Sequence, residues 1–153
     1  MAEEKFAMEQ FDKAVLEGNA TWWQMELPSG SVIFGETKAK ILGYPESMFK
    51  HYTDFMNLVH PDDAAKVMQT MRNHLAGKAK VYETTYRIRH KNGEYIQFYD
   101  CGQIIKKEGK NIIVTGFVMK VKEGMDIFGQ IKDFKNLIIE GNPSIIELVA
   151  KIK

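Results

Sequence analysis

The sequence predicts an α+β fold with helices on one side of a five-stranded antiparallel sheet, and three observations carry that expectation. First, Asn92-Gly93 separates two extended runs within 81–100. An Asn-Gly pair accepts the positive φ angles of a type I′ turn, whose twist matches the strands it joins. Second, Tyr82, Thr84, Tyr86 and Ile88 alternate with Glu83, Thr85, Arg87 and Arg89, which is the period of a half-buried strand. Third, His60-Pro61-Asp62-Asp63 reads as a helix start. Proline suits the first helical turn, and the acids favour the positive end of the helix dipole.

The remaining elements follow in order. Residues 2–17 predict an amphipathic helix, with Met8, Phe11 and Val15 on one stripe, Ala7 and Ala14 beside it, and Gly18-Asn19 as the stop. Such a stripe is covered either by its own domain or by a second copy of the chain. Residues 21–27 and 31–34 predict two strands joined by the turn Pro28-Ser29-Gly30, and Gly35 ends the second. A short helix over 36–42 stops at Gly43 and Pro45. Residues 46–59, with Phe49, Tyr52, Phe55, Met56, Leu58 and Val59, predict broken helical turns. The helix begun at Pro61 runs to about Leu75, carrying Ala64, Val67, Met68 and Met71 inward, and Gly77 caps it. The second hairpin arm runs from Tyr95 to about Lys106, a turn occupies 107–110, and the last strand covers 112–121. Gly116 within that strand marks a close backbone approach.

Composition narrows the function. A chain of 153 residues fits one domain, or one domain with a helical extension, and 44% hydrophobic with 27% charged residues is ordinary for a globular protein. The single cysteine, Cys101, permits no intrachain disulfide and no cysteine-based zinc site. A net charge of +1 argues against a nucleic-acid footprint. The start, MAEEKFAMEQ, has acids and no apolar run, unlike a signal peptide. No stretch approaches the roughly 18 apolar residues of a membrane helix. The expected location is the cytoplasm.

The ordered set W-x-x-x-L-x-S-G-x-x-x-F-G (Trp23 to Gly35), L-G-Y-P (Leu42 to Pro45), H-P-D-D (His60 to Asp63), Y-x-x-x-Y-R-I-R-H-K-N-G (Tyr82 to Gly93) and G-F-V (Gly116 to Val118) resembles the PAS sensory domain. The match is to the subgroup found in sensor kinases and receptors, and it spans residues 19–122. The resemblance implies a sheet of order 2-1-5-4-3 with small helices on one face. It also implies a small ligand or cofactor bound between sheet and helices, or pairing with another copy, with strain passed through flanking helices. Phe34, Phe55, Met56, Met68, Met71, Tyr86, Gln97 and Phe117 are the candidate pocket lining. Gln97 stands where subgroup members often carry tryptophan. Inside a cavity its amide needs a partner, which a ligand would supply; outside, it meets solvent or its neighbours. At least one of Tyr86 and Gln97 is expected to face the cavity. Lys120 and Lys122 stand where many members carry Asp-x-Thr, a tie to the output helix.

Neither haem nor flavin is indicated, and the cofactor stays open. The position matching the usual haem histidine is Met68, which leaves His74 and His51 as the histidines for iron. The flavin-adduct cysteine has no counterpart in the short helix before the long one. No Ser-His-acid or Cys-His arrangement has a recognisable context, and His60 reads as a cap. No catalytic or metal-ligating residue is assigned, and the chain is not expected to be an enzyme.

The chain changes character over 123–153. Ile127, Ile131, Phe134 and Ile138 step +4, +3, +4, a heptad stripe. Gly141 interrupts it. The restart is either a capping box from Ser144 to Glu147 or an Asn142 cap with Pro143 behind it. The run N-P-S-I-I-E-L-V-A-K-I-K resembles the start of the signalling helix of methyl-accepting chemotaxis proteins, although sensor kinases and cyclases also place a helix here. The expected organisation is an N-terminal helix over 1–18, a PAS domain over 19–122 and a helical linker over 123–153 toward an output domain. Two functions fit. One is a ligand-binding sensory module of chemoreceptor type, a homodimer through its N- and C-terminal helices. The other is a ligand-free PAS docking or dimerisation module of a sensor kinase or cyclase.

Overall fold

A computed structural model of the protein describes residues 20–121, together with Gly129. The expected helix over 2–17, the heptad tail and Lys122 lie outside the described residues.

Five strands form one antiparallel sheet: β1 (Ala20–Leu27), β2 (Val32–Phe34), β3 (Tyr82–Arg89), β4 (Tyr95–Glu108) and β5 (Asn111–Lys120). Their order is β2-β1-β5-β4-β3. The helical segment lies between β2 and β3 in the chain. It holds α1 (Glu36–Leu42), a 3-10 turn at Glu46–Met48, α2 (Tyr52–Met56) and α3 (Pro61–Leu75). The α+β class is the one the elements predict, and the strand order is the one the resemblance implies. Among the described residues, no helix is long and apolar enough to cross a membrane.

The helical segment protects both sheet edges. Beside β2, Val32 N–H donates to Lys50 C=O at 3.0 Å. Beside β3, His60 N–H donates to Arg87 C=O and Arg89 N–H donates to Leu58 C=O, both at 2.9 Å. Edge donors and acceptors that would invite another strand are thus paired within the chain. In the chain the two edge contacts bracket α2 (Tyr52–Met56), so this segment spans from the β2 edge to the β3 edge.

Helix α3 starts as its residues dictate. His60 is the N-cap, its Nδ1 accepting from Asp62 N–H at 3.1 Å, and Pro61 occupies the first helical turn. Asp63 does more than complement the dipole. Its carboxylate accepts from Arg87 Nε at 2.9 Å, Arg87 Nη2 at 3.0 Å and Arg87 backbone N–H at 2.8 Å, locking α3 to β3.

The central hairpin differs from expectation at its turn. Gly93 N–H donates to His90 C=O at 2.9 Å, so the central pair is Lys91-Asn92 and not Asn92-Gly93. Gly93 follows at φ +92, the left-handed third residue of a three-residue loop. Asn92 Oδ1 instead accepts from Glu94 N–H at 2.9 Å. β4 also extends to Glu108, shortening the next turn to Gly109-Lys110.

Trp23 organises the packing between the layers. It pairs with Gly116 of β5, which pairs with Gly102 of β4. A Cβ on Gly116 would meet Trp23 Cζ2 at 2.8 Å, and one on Gly102 would meet it at 2.9 Å. The indole therefore lies across a two-glycine floor that no larger residue permits. Around it, Leu42, Phe49, Ile88, Phe98, Val114 and Val118 form the buried core.

Candidate functional site

The sheet face carrying Trp23 does not pack fully against the helices. A cavity of about 280 Å³ remains between them. Its sheet wall includes Met25, Leu27, Val32, Tyr82 and Ile88, and its helical wall includes Val59, Val67, Leu75 and Arg72. A mostly apolar concavity with few polar groups is the usual form of a small-molecule site.

The polar groups converge at one end. Asp100 is buried on the inward face of β4. Its Oδ1 accepts the Trp23 indole N–H at 2.6 Å, and its Oδ2 accepts the Tyr86 hydroxyl at 2.9 Å. Lys38 approaches from α1. Positions 38, 41 and 42 share a helix face, so Lys38 lies on the stripe that buries Leu42 and packs Ile41 against the core. Only 6% of its surface is exposed, and its Nζ lies 3.8 Å from the centroid of the Phe55 ring. The ring face supplies a cation–π contact to that ammonium.

These two buried charges hold each other. Burial pushes the Asp100 carboxyl up to about 6, against the opposing pull of Lys38, Tyr86 and Trp23. Burial lowers the Lys38 ammonium to about 8, with Asp100 opposing. Yet the two do not close an ion pair within 4.0 Å. Near neutral pH the site holds one positive and one negative group, separated and facing the same space. Burial likewise raises the Tyr82 and Tyr86 phenols, so both remain neutral.

Six of the eight residues expected to line a pocket do so: Phe34, Phe55, Met56, Met68, Met71 and Tyr86. Gln97 and Phe117 do not, and both are corrected by sheet register. Gln97 pairs with Arg87, whose side chain is exposed, while the inward Tyr86 pairs with Phe98. The Gln97 amide therefore faces away from the cavity and needs no ligand partner there. Phe117 is buried, but it pairs with Trp22 and Cys101 on the face opposite the neighbouring Trp23–Gly116 pair. Lys38 and Asp100 were absent from the expected lining.

The histidines and the cysteine do not fit haem or a flavin adduct. The His74 ring has both nitrogens engaged: Nδ1 with Ala79 C=O at 2.9 Å and Nε2 with Ile104 N–H at 3.0 Å. His51 caps α2, its Nδ1 accepting from Thr53 N–H at 3.2 Å. Cys101 sits on the far face of the sheet with its thiol pushed up to about 12 by burial, which leaves it unreactive. Among the described residues, no group of three His, Cys, Asp or Glu side chains is placed to hold a metal.

Comparison with known proteins agrees with this geometry. The family profile described as PAS fold matches residues 33–118. No curated protein matches the chain. Among solved structures, a sensory box histidine kinase/response regulator from Burkholderia thailandensis is similar at 23% identity with a TM-score of 0.62, covering 88% of this chain and 96% of that one. The N-terminal domain of a diguanylate cyclase with PAS/PAC sensor from Marinobacter aquaeolei is similar at 21% identity and a TM-score of 0.60, covering 67% and 94%. A domain of a putative light and redox sensing histidine kinase from Haloarcula marismortui gives 19% identity and 0.60, covering 74% and 99%.

Proposed function

The chain belongs to the PAS fold family, and from that premise we propose that it is the sensory module of a cytoplasmic signal-transduction protein that binds a small molecule beneath α3. The observation that carries this reading is the cavity of about 280 Å³ with Lys38 and Asp100 buried at one end. A domain used only for docking gains nothing from desolvating two separated charges beside an open volume, because that arrangement costs stability.

Occupancy of the cavity alters the packing of α3 and α1 on the sheet. In this reading the change passes to helices flanking the domain, which pair two copies of the chain. The heptad spacing of Ile127, Ile131, Phe134 and Ile138 supports a coiled-coil output, and the N-P-S-I-I-E run supports one of chemoreceptor type. No catalytic role is assigned to any residue.

Native mass spectrometry of freshly purified protein tests the binding step. The expected result is an added mass that is lost on denaturation and is absent from Val67→Phe, which fills the cavity. A bare polypeptide mass for the wild type in repeated preparations, with no uptake from a small-molecule library, contradicts it. Sedimentation with and without residues 123–153 tests the dimer: the full chain is expected to be dimeric, and a full chain that stays monomeric at high concentration contradicts that part.

A further inference from the structure

We propose that the cavity selects a neutral amphipathic alcohol, with its hydroxyl seated between Lys38 and Asp100 and its apolar body along the methionines of α3. This rests on the ligand-binding reading above and names the chemical class it takes.

Lys38 supplies the donor. Its ammonium has three N–H donors, and among the described residues none finds a hydrogen-bond acceptor or an ion-pair partner. Among the described residues its close contact is the Phe55 ring face, at 3.8 Å. The side chain is buried but the ammonium opens onto the cavity, so its acceptors come from what the cavity holds.

Asp100 supplies the acceptor. Its carboxylate accepts from Trp23, from Tyr86 and from the Cys101 backbone N–H. A carboxylate offers about four acceptor sites, so one is left unused. The three donors also fix the carboxylate in place, so the remaining acceptor direction is preorganised.

Ligand chemistry then separates by charge and donor pattern. A carboxylate ligand satisfies Lys38 and is repelled by Asp100. An ammonium ligand satisfies Asp100 and is repelled by Lys38. A hydrocarbon fills the volume and leaves both polar groups unpaired. A hydroxyl oxygen accepts from Lys38 while its proton is donated to Asp100, and it adds no charge to a site that is already balanced.

Volume limits the body. An engineered apolar cavity of about 150 Å³ is known to take benzene. The volume here, about 280 Å³, is nearly twice that and admits a two-ring or comparable aliphatic body. Met56, Met68 and Met71 line it, and their unbranched thioethers adapt to such shapes.

The test uses three probes of one size on the full chain at pH 7: 2-naphthalenemethanol, 2-naphthoate and 2-methylnaphthalene, titrated by calorimetry. The alcohol is expected to bind about tenfold or more tighter than either of the others, as for a pair of charge-assisted hydrogen bonds. In K38M that preference over the hydrocarbon disappears while hydrocarbon binding persists. Equal or better binding of the hydrocarbon or the carboxylate by the wild type overturns the alcohol assignment and leaves the ligand-binding reading standing. A preference that survives in K38M also overturns it. If none of the three probes binds, the alcohol assignment falls, and the native mass of the wild type decides the ligand-binding reading separately.

Discussion

Trp23 and Asp100 lie 77 positions apart in the chain and share a buried hydrogen bond of 2.6 Å, indole N–H to Oδ1. The bond joins β1 to β4 across β5, directly beside Gly116, the residue whose missing side chain makes room for the indole. The same carboxylate takes the Tyr86 hydroxyl from β3. One side chain thus ties three strands together at the polar end of the cavity.

Removing that carboxylate has a predicted cost. Asp100→Ala leaves the Trp23 N–H and Tyr86 O–H without their acceptor and Lys38 without its counter-charge. Each buried unsatisfied donor costs about 1–3 kcal/mol, so a loss of roughly 2–5 kcal/mol in urea unfolding is expected. Lys38→Met in the same background should recover part of it, since it deletes the stranded cation.

The pH behaviour of this pair has a definite sign. Burial raises the folded-state Asp100 value above its ordinary 3.8 to about 6, so the fold favours the protonated acid. Its contribution to stability is full below about 3.8 and declines as pH rises to about 6. Lys38, lowered from 10.5 to about 8, behaves oppositely: its contribution is full above 10.5 and is lost as pH falls through about 8. Because Lys38 pulls the Asp100 value down, K38M should move the Asp100 titration above about 6. Carbon-detected NMR of the side-chain carboxyl reads this directly.

Asp63 titrates in a separate window. Arg87 hydrogen bonds hold its carboxyl down at about 2. Its contribution to stability is present above the ordinary 3.8 and is lost as pH falls through about 2. Arg87→Met should therefore destabilise the protein at pH 7 and flatten the acid limb between about 2 and 3.8. Thermal melts across that range provide the check.

The hairpin strands and the α3 start were legible because each rests on local chemistry: period-2 alternation and a proline behind a cap; the sheet order was implied by the family resemblance. The cavity wall was partly legible for the same reason, since helical spacing points Met68 and Met71 inward together. Gln97 and Phe117 were misplaced because strand faces alternate with every residue, and a shift of one position moves a side chain to the other face. Lys38 and Asp100 were missed because polar residues are usually read as solvent-facing. Their signal was present in the pattern. Lys38 falls on the face of Leu42, and Asp100 falls two residues from Phe98 on the same face of β4. No local rule tells that two such residues, 62 positions apart in number, meet in one cavity, because that depends on how α1 packs on the sheet.

Gly116 offers a test of the Trp23 floor. A Cβ there would stand 2.0 Å from Cys101 C=O and 2.8 Å from Trp23 Cζ2. The backbone carbonyl cannot yield as a side chain can. Gly116→Ala is expected to cost about 1–3 kcal/mol or more, as overpacking does, and to shift the Trp23 fluorescence. A variant as stable as the wild type contradicts the close packing of β4, β5 and the indole.

The most direct measurement of the cavity as a ligand site uses the two adjacent tryptophans. Trp23 lines the cavity, while Trp22 pairs with Phe117 on the opposite face of the sheet. Nitrogen-edited NMR spectra of the two indole N–H groups, recorded while 2-naphthalenemethanol is added, report both faces at once. The predicted result is a saturable shift of the Trp23 resonance with Trp22 unmoved. A Trp23 resonance that stays fixed at saturating alcohol, or a shift confined to Trp22, contradicts a ligand site beneath α3.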